Sequence, residues 1–173
     1  MTINKNIIIH FFHYLWLTLG LVIVFFVISQ GIYTKRSLEY NLDFSKPLTK
    51  NIVGWYPENR IANFSEDSIG TTFNLRGEPV YMKIYTPIDF SQLTISGGIY
   101  TNSSNNINLG LRQQDGSWEF QKIDLFDNNF SSHFDLASAQ TKYNQLEIIL
   151  SAPDLNNTST ISLLNNWSIT LNR

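Results

Sequence analysis

In "GEPVYMKIYTP", residues 77–87, Val80, Met82 and Ile84 alternate with Tyr81, Lys83 and Tyr85, the period of two that sends successive side chains of a strand to opposite faces. With the aliphatic set turned inward, the other set forms an aromatic, cationic, aromatic row on the outer side. Aromatic faces stack on the apolar faces of sugar rings, and an ammonium between them donates hydrogen bonds to hydroxyls. Tyr81, Lys83 and Tyr85 are therefore candidate ligand-binding residues, with Trp118 beyond a turn as a fourth. Trp55 and Tyr56 have a similar standing. Ordinary sheet packing uses the same residue types, because tyrosines are favoured in strands and pair across them.

Other chemistry finds little to work with. His133 follows Ser131 and Ser132 and precedes Asp135, but neighbours in a chain rarely meet as nucleophile and base, and no G-x-S-x-G turn occurs to hold a serine. His133 reads as a loop histidine. The absence of cysteine removes thiolate zinc sites, disulfides and a cysteine nucleophile together. No H-E-x-x-H, phosphate-binding loop or dinucleotide fingerprint is present. Asp124, Asp127 and Asn128 could offer oxygens to Ca²⁺, yet turn chemistry accounts for Asp127 and Asn128 equally well. The expectation is a protein without catalytic residues, metal or cofactor. A net charge of −2 over 173 residues, with no dense basic block, gives no footprint for a nucleic acid backbone.

The elements that must position these residues begin with a different solvent problem. From Ile7 to Gln30 the chain carries no formal charge, about 24 residues, or roughly 36 Å as a helix, against about 30 Å of bilayer hydrocarbon. Its apolar residues cover every helical face, and a domain this small could not bury them all. Tyr14 and Trp16 toward one end, Tyr33 at the other, and the bracketing Lys5, Lys35 and Arg36 are the markers of an interface. Val27 to Gly31 makes a poor cleavage site, so residues 1–33 are expected to hold an uncleaved transmembrane helix, with the lipid bilayer as partner. His10 and His13 then sit as amphipathic rings at headgroup level. The Lys/Arg count after the span opposes export, whereas the Lys-poor, Asn/Ser/Thr-rich character of the remainder favours an extracytoplasmic domain on a cell membrane protein.

Residues 34–51 read as a juxtamembrane stalk that continues the helix, since Leu38 and Leu42 stand four apart and Glu39 and Asp43 follow Lys35 and Arg36 at the same spacing. From residue 52 to 173 the period becomes two. "SQLTISGGIYT", "INLGLRQQDGSWEFQKIDLF", "NQLEIILSAP", "TISLL" and "NWSITLN" supply strands, with a weaker one at "TTFNL". Asp115-Gly116 marks a hairpin turn. Beyond it Trp118 and Phe120 share one face while Ile123 and Leu125 fall on the other, which suggests a β-bulge. About eight strands joined by Gly-, Asn-, Asp- and Ser-bearing turns give an all-β, antiparallel, jelly-roll-like β-sandwich behind one N-terminal helix, its last strand pairing near its first.

The runs "VGWYPENRI", "GEPVYMKIYTP", "INLGLRQQDGSWEFQKIDL" and "ILSAPDL", with the closing strand, resemble a group of single-pass bacterial membrane proteins that carry a small jelly-roll ectodomain. The strand pattern is also similar to galactose-binding-like and carbohydrate-binding sandwiches. This implies architecture alone and brings no activity, cofactor or catalytic residue with it. The expected function is a membrane-anchored, non-enzymatic module that recognises a cell-envelope glycan. The alternative is an interaction subunit docking another membrane or envelope protein.

Overall fold

The computed structural model describes residues 5–32, 37–67, 70–86, 89–102, 106–139, 141, 144–155 and 160–173, and of residues 5–11, 27–32, 63–67, 70, 71 and 73 the backbone alone. Tyr33, Lys35, Arg36, Pro87, Ser103 and Ser104 lie outside the described residues. The chain divides into two units, Met1–Arg36 and Ser37–Arg173.

The first unit is one helix, α1 (Lys5–Ile32). Its described side chains run from Phe12 to Phe26, all of them exposed, including Phe12, Leu15, Trp16, Leu19, Ile23 and Phe25. Thr18 Oγ1 folds back onto the Tyr14 carbonyl at 2.6 Å, the usual way a helical hydroxyl is satisfied without water. Among the described residues no helix is long and apolar enough to cross a membrane. The transmembrane span expected from the sequence is therefore not a feature of the described structure.

The second unit is a sandwich of two antiparallel sheets. One is built from β1 (Ser37–Leu42), β3 (Ile61–Asp67), β4 (Gly70–Leu75), β6 (Gln92–Thr101), β9 (Asn129–Asp135), β11 (Ile161–Leu164) and β12 (Trp167–Asn172). The other contains β2 (Ile52–Tyr56), β5 (Val80–Tyr85), β7 (Asn108–Arg112), β8 (Trp118–Lys122) and β10 (Gln145–Ser151). The seven-stranded sheet has the order β1-β12-β6-β11-β4-β3, with β9 on β6, and the five-stranded sheet has the order β2-β5-β10-β7-β8.

β1 overturns the helical stalk. Ser37–Leu42 pairs with β12 from Ser37↔Asn172 to Leu42↔Trp167, so the sandwich starts at Ser37 rather than at residue 52. A spacing of four is close to one helical turn but is also two strand periods; Leu38 and Leu42 satisfy both, and Tyr40 between them is buried on the same side. Tyr40 Oη then donates to the Tyr85 carbonyl at 3.1 Å, tying this strand to the opposite sheet. Asp43, just after β1, accepts from Asn165 Nδ2 at 2.6 Å and pairs with Lys46 at 2.8 Å. These contacts, with Lys46 and Ser45 foremost, hold its carboxyl below the ordinary carboxylate range. The last strand thus pairs with a segment expected to be stalk, while β2, expected as the first strand of the sandwich, lies in the other sheet.

The aliphatic sets named above meet between the sheets: Val80, Met82 and Ile84 with Leu109, Leu111, Leu146, Ile148 and Leu150 from one side, and Leu93, Ile95, Ile169 and Leu171 from the other. Trp167 is the aromatic hub, 5.5 Å from the Trp55 ring and 4.9 Å from Phe130, both edge-on, with its indole N–H on the Gly98 carbonyl at 3.1 Å. A Cβ at Gly97 would lie 2.6 Å from the Trp167 ring, so glycine there is a packing requirement. Trp55 fills the core, one of the two roles its sequence position left open.

The β7–β8 hairpin closes at Asp115-Gly116 as expected: Gln113 N–H donates to Ser117 O at 2.8 Å, Asp115 Oδ1 accepts from Ser117 N at 2.9 Å, and Gly116 takes a φ of 85°. The bulge expected in β8 is absent, since β7 and β8 stay in register from Asn108↔Lys122 to Arg112↔Trp118. Trp118 and Phe120 point away from the core and Ile123 into it, which is simple alternation once large aromatics are allowed outside. Asp127 and Asn128 form a two-residue hairpin turn, both at positive φ and flanked by mutual Phe126–Asn129 hydrogen bonds. That geometry suits Asp and Asn, and no cluster of metal-ligating side chains occurs among the described residues.

Candidate functional site

The outward side chains of the five-stranded sheet form rows that run across the strands. Register places Tyr56 opposite Tyr81, Tyr81 opposite Ile149, Ile149 opposite Gly110 and Gly110 opposite Phe120. A second row starts with Val53 opposite Lys83, continues to Glu147 opposite Lys83, and ends with Arg112 opposite Trp118.

Tyr56 joins the first row through a local irregularity. Between Val53 and Tyr56 the β2 strand holds one residue more than its partner, and an extra residue flips the alternation that follows it. Val53 is outward, Trp55 is thereby turned inward and Tyr56 outward again. The bulge contains Gly54, where a Cβ would come within 2.9 Å of Leu48.

Four rings then form a continuous ribbon. Tyr56 stacks on Tyr81 at 5.6 Å and 30°, Tyr81 meets Trp118 at 5.9 Å and 40°, and Trp118 meets Phe120 at 6.5 Å and 32°. Tyr81 and Trp118 belong to strands three spacings apart, about 14 Å of sheet, so their side chains lean toward each other over β10 and β7. Gly110 leaves room beneath, since a Cβ there would lie 2.5 Å from Ile149 and 2.9 Å from Phe120. Ile149 is buried under the rings although it faces outward.

A polar hub sits within the ribbon. Glu147 accepts from Tyr56 Oη at 2.6 Å and from Arg112 Nη1 at 3.0 Å. Burial, then the hydrogen bond to Glu147, pushes the Tyr56 phenol well above its ordinary value, so it remains a donor at any physiological pH. Arg112 lies over Trp118 at 5.5 Å and Lys83 over Tyr56 at 5.3 Å, both within the range of a cation–π contact. Arg112 Nε is shielded and finds no acceptor among the described residues. Beside Trp118 an open cleft is lined by Gln113, Asp115, Glu119 and Ser138.

Of the residues marked in the sequence, Tyr81, Lys83 and Trp118 come together here. Tyr85 shares the face, opposite Gln145, but its ring joins no stack among the described residues. The aromatic surface runs across the strands rather than along β5. Sequence reasoning did not include Phe120, Arg112 or Glu147 in the site. Phe120 stands two residues from Trp118 and was findable by parity; Glu147 and Arg112 required the pairing register.

His133 is a strand residue, not a loop one. It lies in β9 on the outer face of the other sheet, with Thr94 Oγ1 3.0 Å from Nδ1 and Ser131 Oγ 3.5 Å from Nε2. Ser132 turns into the core. The Nδ1 position that a triad carboxylate would occupy is held by Thr94, so no nucleophile–base–acid chain is formed.

No family model matches the chain, and no curated protein matches it by sequence. Among solved structures, the CBM22-1–CBM22-2 tandem domain of Paenibacillus barcinonensis Xyn10C is similar over 79% of this chain and 45% of that one, at 11% identity and a TM-score of 0.50. The chain spans less than half of that tandem. The xylan-binding CBM22-1 domain of the same protein is matched over 79% of this chain and 94% of that one, at 12% identity and a TM-score of 0.48. A mannan-recognising carbohydrate-binding module, TmCBM27, is matched over 80% and 100%, at 14% identity and a TM-score of 0.44. The likeness concerns the fold: the chain carries an all-β antiparallel sandwich of two sheets, of the kind seen in carbohydrate-binding modules.

Proposed function

We propose that this protein is a non-catalytic binding module that takes a carbohydrate, a glycan of the cell envelope, on the outer face of the five-stranded sheet. The observation that carries the reading is the four-ring ribbon with donors and acceptors set among its rings. Rings supply flat apolar contact for sugar faces, while Glu147, Lys83 and Arg112 offer an acceptor and donors to hydroxyls. The solved structures with similar folds include a xylan-binding domain and a mannan-recognising module. Affinity gel electrophoresis of the full chain in mild detergent, against soluble xylan, mannan, galactan and polygalacturonate, tests it. Retardation by at least one polymer is expected; equal mobility in every gel would end the reading.

The module is also proposed to be anchored in a membrane through residues 7–30. The support is the uncharged run in the sequence and the exposure of the described apolar side chains of α1. Such a segment is expected to keep the chain in the membrane pellet through alkaline carbonate washing, whereas release into the supernatant would show a peripheral protein. Protease digestion of intact cells then reports on which side the sandwich lies.

A further inference from the structure

Among the rings the cations outnumber the carboxylates. Glu147 accepts from Tyr56 and Arg112 and stands opposite Lys83 in register, while the carboxylates at the rim keep their charge and accept from neutral donors, Glu78 from Ser151 Oγ at 2.9 Å, Glu119 from Gln113 Nε2 at 3.0 Å, and Asp115 from Ser117. Lys83 and Lys122 face the same side of the sheet, and neither has a carboxylate within ion-pair distance among the described residues. Lys83 rests over Tyr56, the ring at the β2 end of the ribbon. Arg112 adds a third cation, its single negative partner shared with a tyrosine.

Resting on the carbohydrate reading above, we infer that the face selects an acidic glycan: sugar rings stack on Tyr81 and Trp118 while an anionic substituent of the chain is held by Lys83. A neutral glycan would leave this ammonium with hydroxyl contacts only, whereas an anion there gains a charge-assisted hydrogen bond. A uronate carboxylate and a sugar phosphate present the same chemistry to an ammonium, so the class is defined by charge and the source by experiment.

The test compares retardation of the full chain in mild detergent by polygalacturonate, by the same polymer with its carboxyls reduced to alcohols, and by phosphomannan beside unphosphorylated mannan. At least one acidic polymer is expected to bind about fivefold more tightly than its neutral counterpart, the size of one partly exposed ion pair, and which acidic polymer does so identifies the source. That preference should fade in high salt, disappear in Lys83→Gln and persist in Lys83→Arg. Equal binding to acidic and neutral partners, or a preference untouched by Lys83→Gln, overturns charge selection while leaving carbohydrate binding intact. Binding to none of these polymers, nor to xylan or galactan, overturns both.

Discussion

Replacing Trp167 by alanine is expected to cost about 3–5 kcal/mol of folding stability, the range for truncating a buried large aromatic. The ring is almost fully buried, contacts Trp55, Phe130 and Phe44 edge-on, and satisfies its N–H on the Gly98 carbonyl. Removing it leaves a cavity whose walls come from β2, β9 and β12 and belong to both sheets, so collapse of one wall strains the other. Against a typical total of about 5–15 kcal/mol, that loss brings the sandwich to the edge of unfolding. The measurement is the urea midpoint of the far-UV β signal of the full chain in mild detergent, with Trp167→Phe beside it as the smaller change. A shift worth less than about 1 kcal/mol for the alanine variant would mean that the ring is not the hub described.

The ribbon variants should separate binding from folding. Tyr81→Ala and Trp118→Ala each remove a half-buried ring from the face, and both rings lie at the junction that carries the ribbon from β5 to β8. Buried-centre aromatics dominate most binding surfaces, so each substitution is expected to weaken retention by any polymer the wild type binds by about tenfold or more, and the pair together to abolish it. The urea midpoint should move little, because neither ring reaches the core. Tyr85→Ala is the contrast: its ring is outside the stack and should leave retention within about twofold of wild type. If Tyr85→Ala proved as damaging as Trp118→Ala, the binding surface would follow β5 lengthwise and the ribbon would be ordinary sheet packing.

That contrast also marks how far the site was readable. Parity within "VYMKIY" correctly puts Tyr81, Lys83 and Tyr85 on one face, because strand alternation is a local property of the backbone. It cannot tell which of them meets Trp118, more than thirty residues away, since this depends on β10 and β7 lying between. Tyr56 was obscured by a single extra residue in β2, and an inserted residue leaves no mark in composition. In β8 the change of parity between Trp118 and Phe120 on one side and Ile123 and Leu125 on the other suggested a bulge that does not exist, since the register there is regular. Trp167, by contrast, is buried in the core. The difference is that the outer face of β8 offers its aromatics other rings and Arg112, so they lose less by staying out.

The amino-acid order by itself determined the uncharged N-terminal run, the period-two pattern of the remainder, the Asp115-Gly116 hairpin and the two-layer class, because each follows from solvent preference or backbone geometry within a few residues. Only the tertiary structure decided that Ser37–Leu42 is a strand, that the ribbon crosses the sheet, and that Glu147 pairs with Arg112 while Lys83 rests on a ring without an ion-pair partner among the described residues. Those outcomes depend on partners distant in sequence: β12 for β1, β10 and β7 for the rings. A spacing of four or an exposed tyrosine is compatible with more than one fold until a neighbour selects among them.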